Sequence, residues 1–112
     1  MTPNKAIGIV DKLKPNSYSD EDKLRWINEL DGMVQRLVFQ EENIKQYSYP
    51  KDMDKELLIP APFDDCYTLF LEAKIDYYNR EYGNYNNSAT MFEAQYNEYK
   101  KAYIREHQAK GG

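Results

Sequence analysis

The sequence predicts an all-α fold, a small helical domain of about four helices that ends in an αα-hairpin. Apolar residues recur at spacings of three and four in four separate stretches, which is the period of an amphipathic helix. Capping residues stand where most of these stretches begin. A chain of 112 residues is long enough for one modest core, so we expect a single domain over residues 1–112.

The first two helices are predicted over residues 3–14 and 20–38. Thr2 can cap the first helix, and Pro3 suits its first position. Ser19 precedes three acids, whose charge favours the positive end of the second helix. The second helix then carries an apolar stripe that we expect to face the core, formed by Leu24, Ile27, Leu30, Val34 and Leu37.

Two further helices are predicted over residues 64–82 and 88–107. The first of them is expected to end at Gly83, because glycine readily adopts the left-handed conformation found after a helix C-terminus, and a polar link follows at 84–88. The core stripes of the two helices are Tyr67, Phe70, Leu71, Ile75 and Tyr78, and then Ala89, Phe92, Tyr96, Tyr99 and Tyr103. The tail, residues 108–112, has nothing to bury, so we expect it to be frayed.

Residues 40–63 break the helical pattern and are predicted to form an extended acidic excursion with room for a short strand or β-hairpin. Seven acids stand against three lysines over residues 40–65, so this stretch carries the whole net charge of −4. A long irregular excursion in so small a domain is uncommon unless it is functional or disordered. We interpret it as a docking arm that is anchored on a neighbouring subunit by Leu57, Leu58, Ile59 and Phe63. Folding back over the chain's own helices is the alternative.

Tyrosine is the unusual component, because eight of the eleven tyrosines fall in the C-terminal hairpin. The striped ones are assigned to the core, with rings buried and hydroxyls in water. Tyr77, Tyr82 and Tyr85 lie off the stripes. Tyrosine gives a large rigid contact area at an interface, so these three are a second candidate surface for subunits or partners.

The residue inventory predicts a protein without enzymatic activity, cofactor or metal. His107 is the single histidine and lies near the end of the chain, so a Ser or Cys triad lacks a well-placed base. Cys66 is alone, which suits a reducing compartment and a place in the core. The chain has no apolar run long enough to cross a bilayer and no secretory signal at its N-terminus, so we expect no membrane partner.

Several strings resemble one group of proteins. They are Leu57-Leu58-Ile59-Pro60-Ala61-Pro62-Phe63-Asp64-Asp65, Leu71-Glu72-Ala73-Lys74-Ile75-Asp76-Tyr77, Tyr85-Asn86-Asn87-Ser88 and, upstream, Trp26-Ile27-Asn28-Glu29-Leu30-Asp31-Gly32. Over roughly residues 5–107 the sequence resembles small neck proteins of tailed bacteriophages and of prophages in Gram-positive bacteria, in the head-to-tail connector (adaptor) family.

The resemblance implies a structural role. Copies of a connector form a ring, typically of twelve, beneath the portal at the capsid vertex, where the ring prolongs the DNA channel and gives the tail a docking surface. The implied partners are further copies of the chain, the portal protein and tail-side neck proteins, with DNA only as channel cargo. The implied location is the host bacterial cytoplasm during assembly and then the virion neck.

Three other functions stay open at the level of sequence. A cytoplasmic helical adaptor or regulatory module would use the tyrosine-rich hairpin to bind one partner protein. A small metal-dependent hydrolase would need the acids of residues 52–65 to hold a cation. DNA binding by the last helix would need a basic surface, for which Lys100, Lys101 and Arg105 are a thin supply.

Overall fold

The fold is all-α, as predicted. The structure is a computed structural model that describes the backbone of residues 1–111 and the side chains of residues 1–108. Its four helices are α1 (Pro3–Leu13), α2 (Asp20–Met33), α3 (Asp65–Tyr78) and α4 (Tyr82–Gly111). No strand forms within residues 1–111, so residues 40–63 fold without the strand or β-hairpin for which the sequence has room.

The first two helices begin at the predicted caps. The Thr2 hydroxyl accepts a hydrogen bond from the backbone N–H of Lys5 at 3.2 Å, and the Ser19 hydroxyl accepts one from the N–H of Asp22 at 3.0 Å. Each bond satisfies a backbone donor that has no partner within the helix. The polar side chains at positions 2 and 19 therefore set where α1 and α2 start.

The end of α2 departs from the predicted regular helix. Residues Val34–Val38 form a π-helical turn, and the N–H of Phe39 donates to the carbonyl of Val34 at 2.9 Å. A π turn holds more residues than an α turn, so it rotates the positions that follow it. Leu37 was predicted on the core stripe, but its side chain is 65% exposed, whereas the earlier members of the stripe are buried.

The turn between α3 and α4 is tighter than predicted. Arg80 has φ 61°, its N–H donates to the carbonyl of Tyr77, and the N–H of Glu81 donates to the carbonyl of Asp76. This is a Schellman motif with arginine in the left-handed position that usually holds glycine. Gly83 therefore does not stop α3, and the expected polar link at 84–88 is the first part of α4.

The α3–α4 hairpin is the largest helix pair, and α1 and α2 pack against α3. With 30 residues, α4 is about 45 Å long, close to the 48 Å length of the molecule. Its backbone is helical to Gly111, and the frayed tail expected at 108–112 falls largely outside the residues whose side chains are described. Residues 40–63, hereafter the connecting segment, add Met53, Leu57 and Ile59 to the core.

Candidate interaction surface

The four residues predicted to anchor the docking arm pack in or against the core of their own chain. Leu57 and Ile59 are buried in the main core, and Leu58 and Phe63 are partly buried against it. The prediction that these four residues are offered to another subunit is therefore corrected for Leu57 and Ile59. The chain's own helices already remove the apolar area of Leu57 and Ile59 from water. This is the alternative stated above, in which the segment folds back over its own helices.

Buried hydrogen bonds hold the connecting segment in this position. The Asp31 carboxylate on α2 is buried and accepts from the hydroxyls of Tyr47 and Tyr67, both at 2.5 Å, and from the N–H of Leu58 at 3.3 Å. The Tyr67 hydroxyl in turn accepts from the N–H of Ile59 at 2.8 Å. The Asp31 carboxylate thus links two separate parts of the connecting segment, at Tyr47 and at Leu58, to Tyr67 of α3.

Two amide side chains, one on α2 and one in the π turn that follows it, hydrogen-bond the backbone of the connecting segment as a neighbouring strand would. Asn28 accepts from the N–H of Tyr47 at 2.8 Å and donates to its carbonyl at 3.1 Å. Gln35 does the same for Lys45, at 2.8 Å and 2.9 Å. Residues 45 and 47 therefore lie on the same side of an extended backbone, and side chains satisfy the polar groups that a sheet would otherwise pair.

Burial shifts the protonation of this network. It raises the pKa of the Asp31 carboxyl above its usual range, against the hydrogen bonds from Tyr47, Tyr67 and Leu58, which lower it. Burial and the neighbouring Asp31 also raise the pKa of both tyrosine hydroxyls, so each hydroxyl stays protonated and serves as a donor. Nothing in the apolar periodicity of α2 signals this network, because Asp31 is polar and lies beside the apolar stripe.

The tyrosines at the turn end of the hairpin form an exposed cluster, as expected for the second candidate surface. The side chains of Tyr77 and Tyr82 are about half exposed, and Tyr85 is partly buried. The Tyr77 ring centroid lies 5.6 Å from that of Tyr85 and 5.3 Å from that of Tyr78. Tyr78 was predicted in the core stripe, but its side chain is also about half exposed.

The tyrosine cluster is defined as Tyr77, Tyr78 and Tyr85, whose rings pack together, and the exposed Tyr82, which lies three residues before Tyr85 on α4; the base of the cluster is buried. The Tyr78 ring is stacked on the fully buried Trp26, with centroids 5.5 Å apart. The Tyr18 hydroxyl donates to the side-chain carbonyl of Asn79 at 2.8 Å, which ties the turn to the start of α2. Beside the cluster a groove of about 430 Å³ runs between α3 and α4, lined by Phe70, Ala73, Lys74, Tyr77, Tyr78, Tyr85, Ala89, Phe92 and Glu93.

The residues with reactive side chains are placed as follows. Cys66 is buried, and burial raises the pKa of its thiol to about 12, so it is a core residue. His107 is exposed, and its ring is stacked on that of Tyr103. Among the described residues, no three His, Cys, Asp or Glu side chains come together as a set of metal ligands. Within the same residues, no helix is both long enough and apolar enough to span a membrane.

Comparisons of the chain with protein-family models, with curated proteins and with solved structures give no match.

Proposed function

We propose that this chain is a phage structural protein without enzymatic activity, a head-to-tail connector that joins the capsid portal to the tail by ring assembly and docking. The observation that supports docking best is the tyrosine cluster, which offers aromatic area to solvent on a braced helical hairpin. The resemblance of the strings around residues 57–65, 71–77 and 85–88 to phage neck proteins supplies the kind of partner. Catalysis plays no part in this proposal.

The cluster has the chemistry of a protein-binding surface. Tyrosine rings bury a large apolar area, and their hydroxyls can pair with polar groups at the rim of a contact. Because Tyr78 is stacked on Trp26 and the turn is held by the hydrogen bonds of Asn79 and Arg80, the Tyr78 side chain has less freedom to lose on binding. A rigid aromatic surface of this kind is typical of the residues that contribute most to binding energy.

The charge of the chain fits a channel that lets DNA pass. Tight binding of DNA comes mainly from Lys and Arg contacts to phosphates. The net charge of −4 resides in residues 40–65, and the remainder of the chain is balanced. A ring of such subunits would repel the DNA backbone more than it would hold it.

Co-sedimentation with portal rings from the phage or prophage that encodes the chain tests the proposal. We expect the wild-type chain to sediment with the rings at a fixed ratio. Replacing Tyr77 and Tyr82 by serine should abolish this co-sedimentation. The matched control is Tyr49→Ser, because Tyr49 is also about half exposed but lies on the connecting segment, away from the hairpin.

The outcome separates the proposal from its alternative. Wild-type chain that stays in the supernatant at every concentration contradicts the connector function. In that case, retention of one host protein at a fixed ratio through the same tyrosines would favour the helical adaptor. Equal loss of binding in the Tyr49 variant and the hairpin variant would contradict the assignment of the docking surface.

A further inference from the structure

Two apolar patches lie on either side of α4, and Phe63 is their one member that the sequence predicted as a subunit contact. The first, flank A, centres on Ile104 and Leu37, whose side chains are 54% and 65% exposed. The second, flank B, centres on Met91, which is 60% exposed, with Phe63 and Leu69 beside it. Exposed large apolar side chains that gather in patches mark contact surfaces more often than isolated ones do.

Flank A arises from the π turn. Because Val34–Val38 is π-helical, Leu37 leaves the core stripe and comes beside α4 near Ile104 and Tyr103. Together they line a shallow groove of about 430 Å³. Lys100 is the charged member of this lining among the described residues, and its Nζ lies 4.8 Å from the Tyr96 ring centroid.

Flank B is lined more completely by apolar side chains. Pro62 and Phe63 from the end of the connecting segment meet Leu69 of α3 and Met91 of α4. The charged residue of this lining, among the residues described, is Glu98. Glu98 is paired with Lys101 at 3.5 Å, but both side chains are largely exposed, so that pair is weak and can be exchanged.

The positions of the two flanks on one helix indicate that a second copy of this chain covers them. Met91 and Ile104 are thirteen residues apart, which at 3.6 residues per turn places them about 140° apart around the axis of α4. The two patches therefore face in widely different directions from the same helix. Their charged members, Lys100 and Glu98, have opposite signs, so flank A of one copy is complementary to flank B of another.

We propose that flank A of one copy packs on flank B of the next, so that copies of this chain associate head to tail. Such heterologous contacts produce a ring if the rotation between copies closes and a filament if it does not. Closure of such contacts into a ring rests on the proposed connector function. The two flanks are surfaces distinct from the tyrosine cluster. The tyrosine cluster then remains available for the portal or for tail-side proteins.

Cysteine cross-linking tests this contact. The double variant Met91→Cys/Ile104→Cys, treated with a short bismaleimide, should give a ladder of dimers, trimers and larger species. Each single variant should stay monomeric, since a head-to-tail contact brings position 91 of one copy near position 104 of the next. The wild type controls for the buried Cys66, and Glu21→Cys/Ile104→Cys controls for random collision, because position 21 is exposed on α2.

The experiment is performed on the concentrated free chain and on the chain mixed with portal rings. A ladder from the double variant in either sample supports the inference. Dimers from a single variant, as in a two-fold contact, or the absence of a ladder in both samples overturns it. Co-sedimentation with portal rings without a ladder would overturn the head-to-tail contact and leave the connector function standing. A ladder in free solution without binding to portal rings would support the head-to-tail contact and contradict the connector function.

Discussion

The connecting segment and the α3–α4 hairpin both resemble interfaces in sequence, but the structure uses them differently. The segment carries an apolar run between prolines, and the hairpin carries most of the tyrosines. In the fold, the apolar run is covered by the core and held by Asp31, whereas part of the tyrosine set stays in solvent. In this chain the apolar run is not available for docking, because polar side chains of the helices beneath it hold it against the core.

Removing the anchor should give the largest effect. Asp31→Ala leaves the Tyr47 and Tyr67 hydroxyls and the N–H of Leu58 without their shared acceptor in a buried site. We expect the free energy of unfolding to fall by about 3 kcal/mol or more, since each unsatisfied buried group costs about 1–3 kcal/mol. Chemical denaturation measures this loss.

The control for that variant is Glu93→Ala, which removes an exposed acid from α4 and should change the unfolding free energy by less than about 0.5 kcal/mol. Similar unfolding free energies for Asp31→Ala and Glu93→Ala would mean that the buried network does not hold the connecting segment. The segment would then be as available for docking as the α3–α4 hairpin.

The same carboxylate should make the attachment of the segment depend on pH. Burial raises the pKa of Asp31 in the folded chain above its unfolded value, which is about 4. Stability from this group is therefore fully present below the unfolded pKa and is lost as the pH rises through the folded pKa. We expect the stability advantage of the wild type over Asp31→Asn to shrink as the pH rises above about 4, in denaturation curves taken over a series of pH values. An advantage that grows with pH would contradict the raised pKa.

A smaller effect, of opposite sign, is expected at the turn of the hairpin. Arg80 adopts a left-handed conformation that costs a residue with a Cβ about 1–2 kcal/mol. Arg80→Gly should therefore raise the unfolding free energy by about 0.5–1 kcal/mol, after the greater freedom of glycine in the unfolded chain is subtracted. Thermal denaturation reports this as a higher melting temperature.

Asn79→Gly is the control, because Asn79 has φ −82° and gains nothing from glycine, and the change also removes the acceptor of the Tyr18 hydrogen bond. It should be destabilising. If Arg80→Gly destabilises the chain as much as Asn79→Gly does, the turn does not have the Schellman geometry described above.

The sequence was sufficient for the parts of the fold that depend on local signals. The caps at Thr2 and Ser19 and the four apolar stripes predicted four helices, with starts that the structure confirms for α1 and α2. The end of α3 was predicted at Gly83 because glycine is the usual left-handed residue, whereas Arg80 takes that conformation. The π turn and its effect on Leu37 have no local signature that we recognised.

The candidate surface was predictable only in part. Tyr77, Tyr82 and Tyr85 lie off the apolar stripes, so helical periodicity alone placed them outside the core. The burial of Leu57 and Ile59 depends on Asp31 and Tyr67, which come from different helices, and such long-range pairing does not appear in residue spacing. Apart from Phe63, the residues of flanks A and B were not predicted as contacts for the same reason, because each flank combines residues from separate elements.

Hydrogen–deuterium exchange of the chain, free and bound to portal rings, tests the account most directly. The amides of residues 57–59 are hydrogen-bonded to Met1, Asp31 and Tyr67 in the free fold, so they should exchange slowly before binding and change little on binding. The hydrogen-bonded amides of the turn and helices within residues 77–85 should be partly protected in the free chain, and peptides covering these residues should gain further protection on binding. Fast exchange at residues 57–59 in the free chain, followed by protection on the portal, would show instead that the connecting segment is the docking arm.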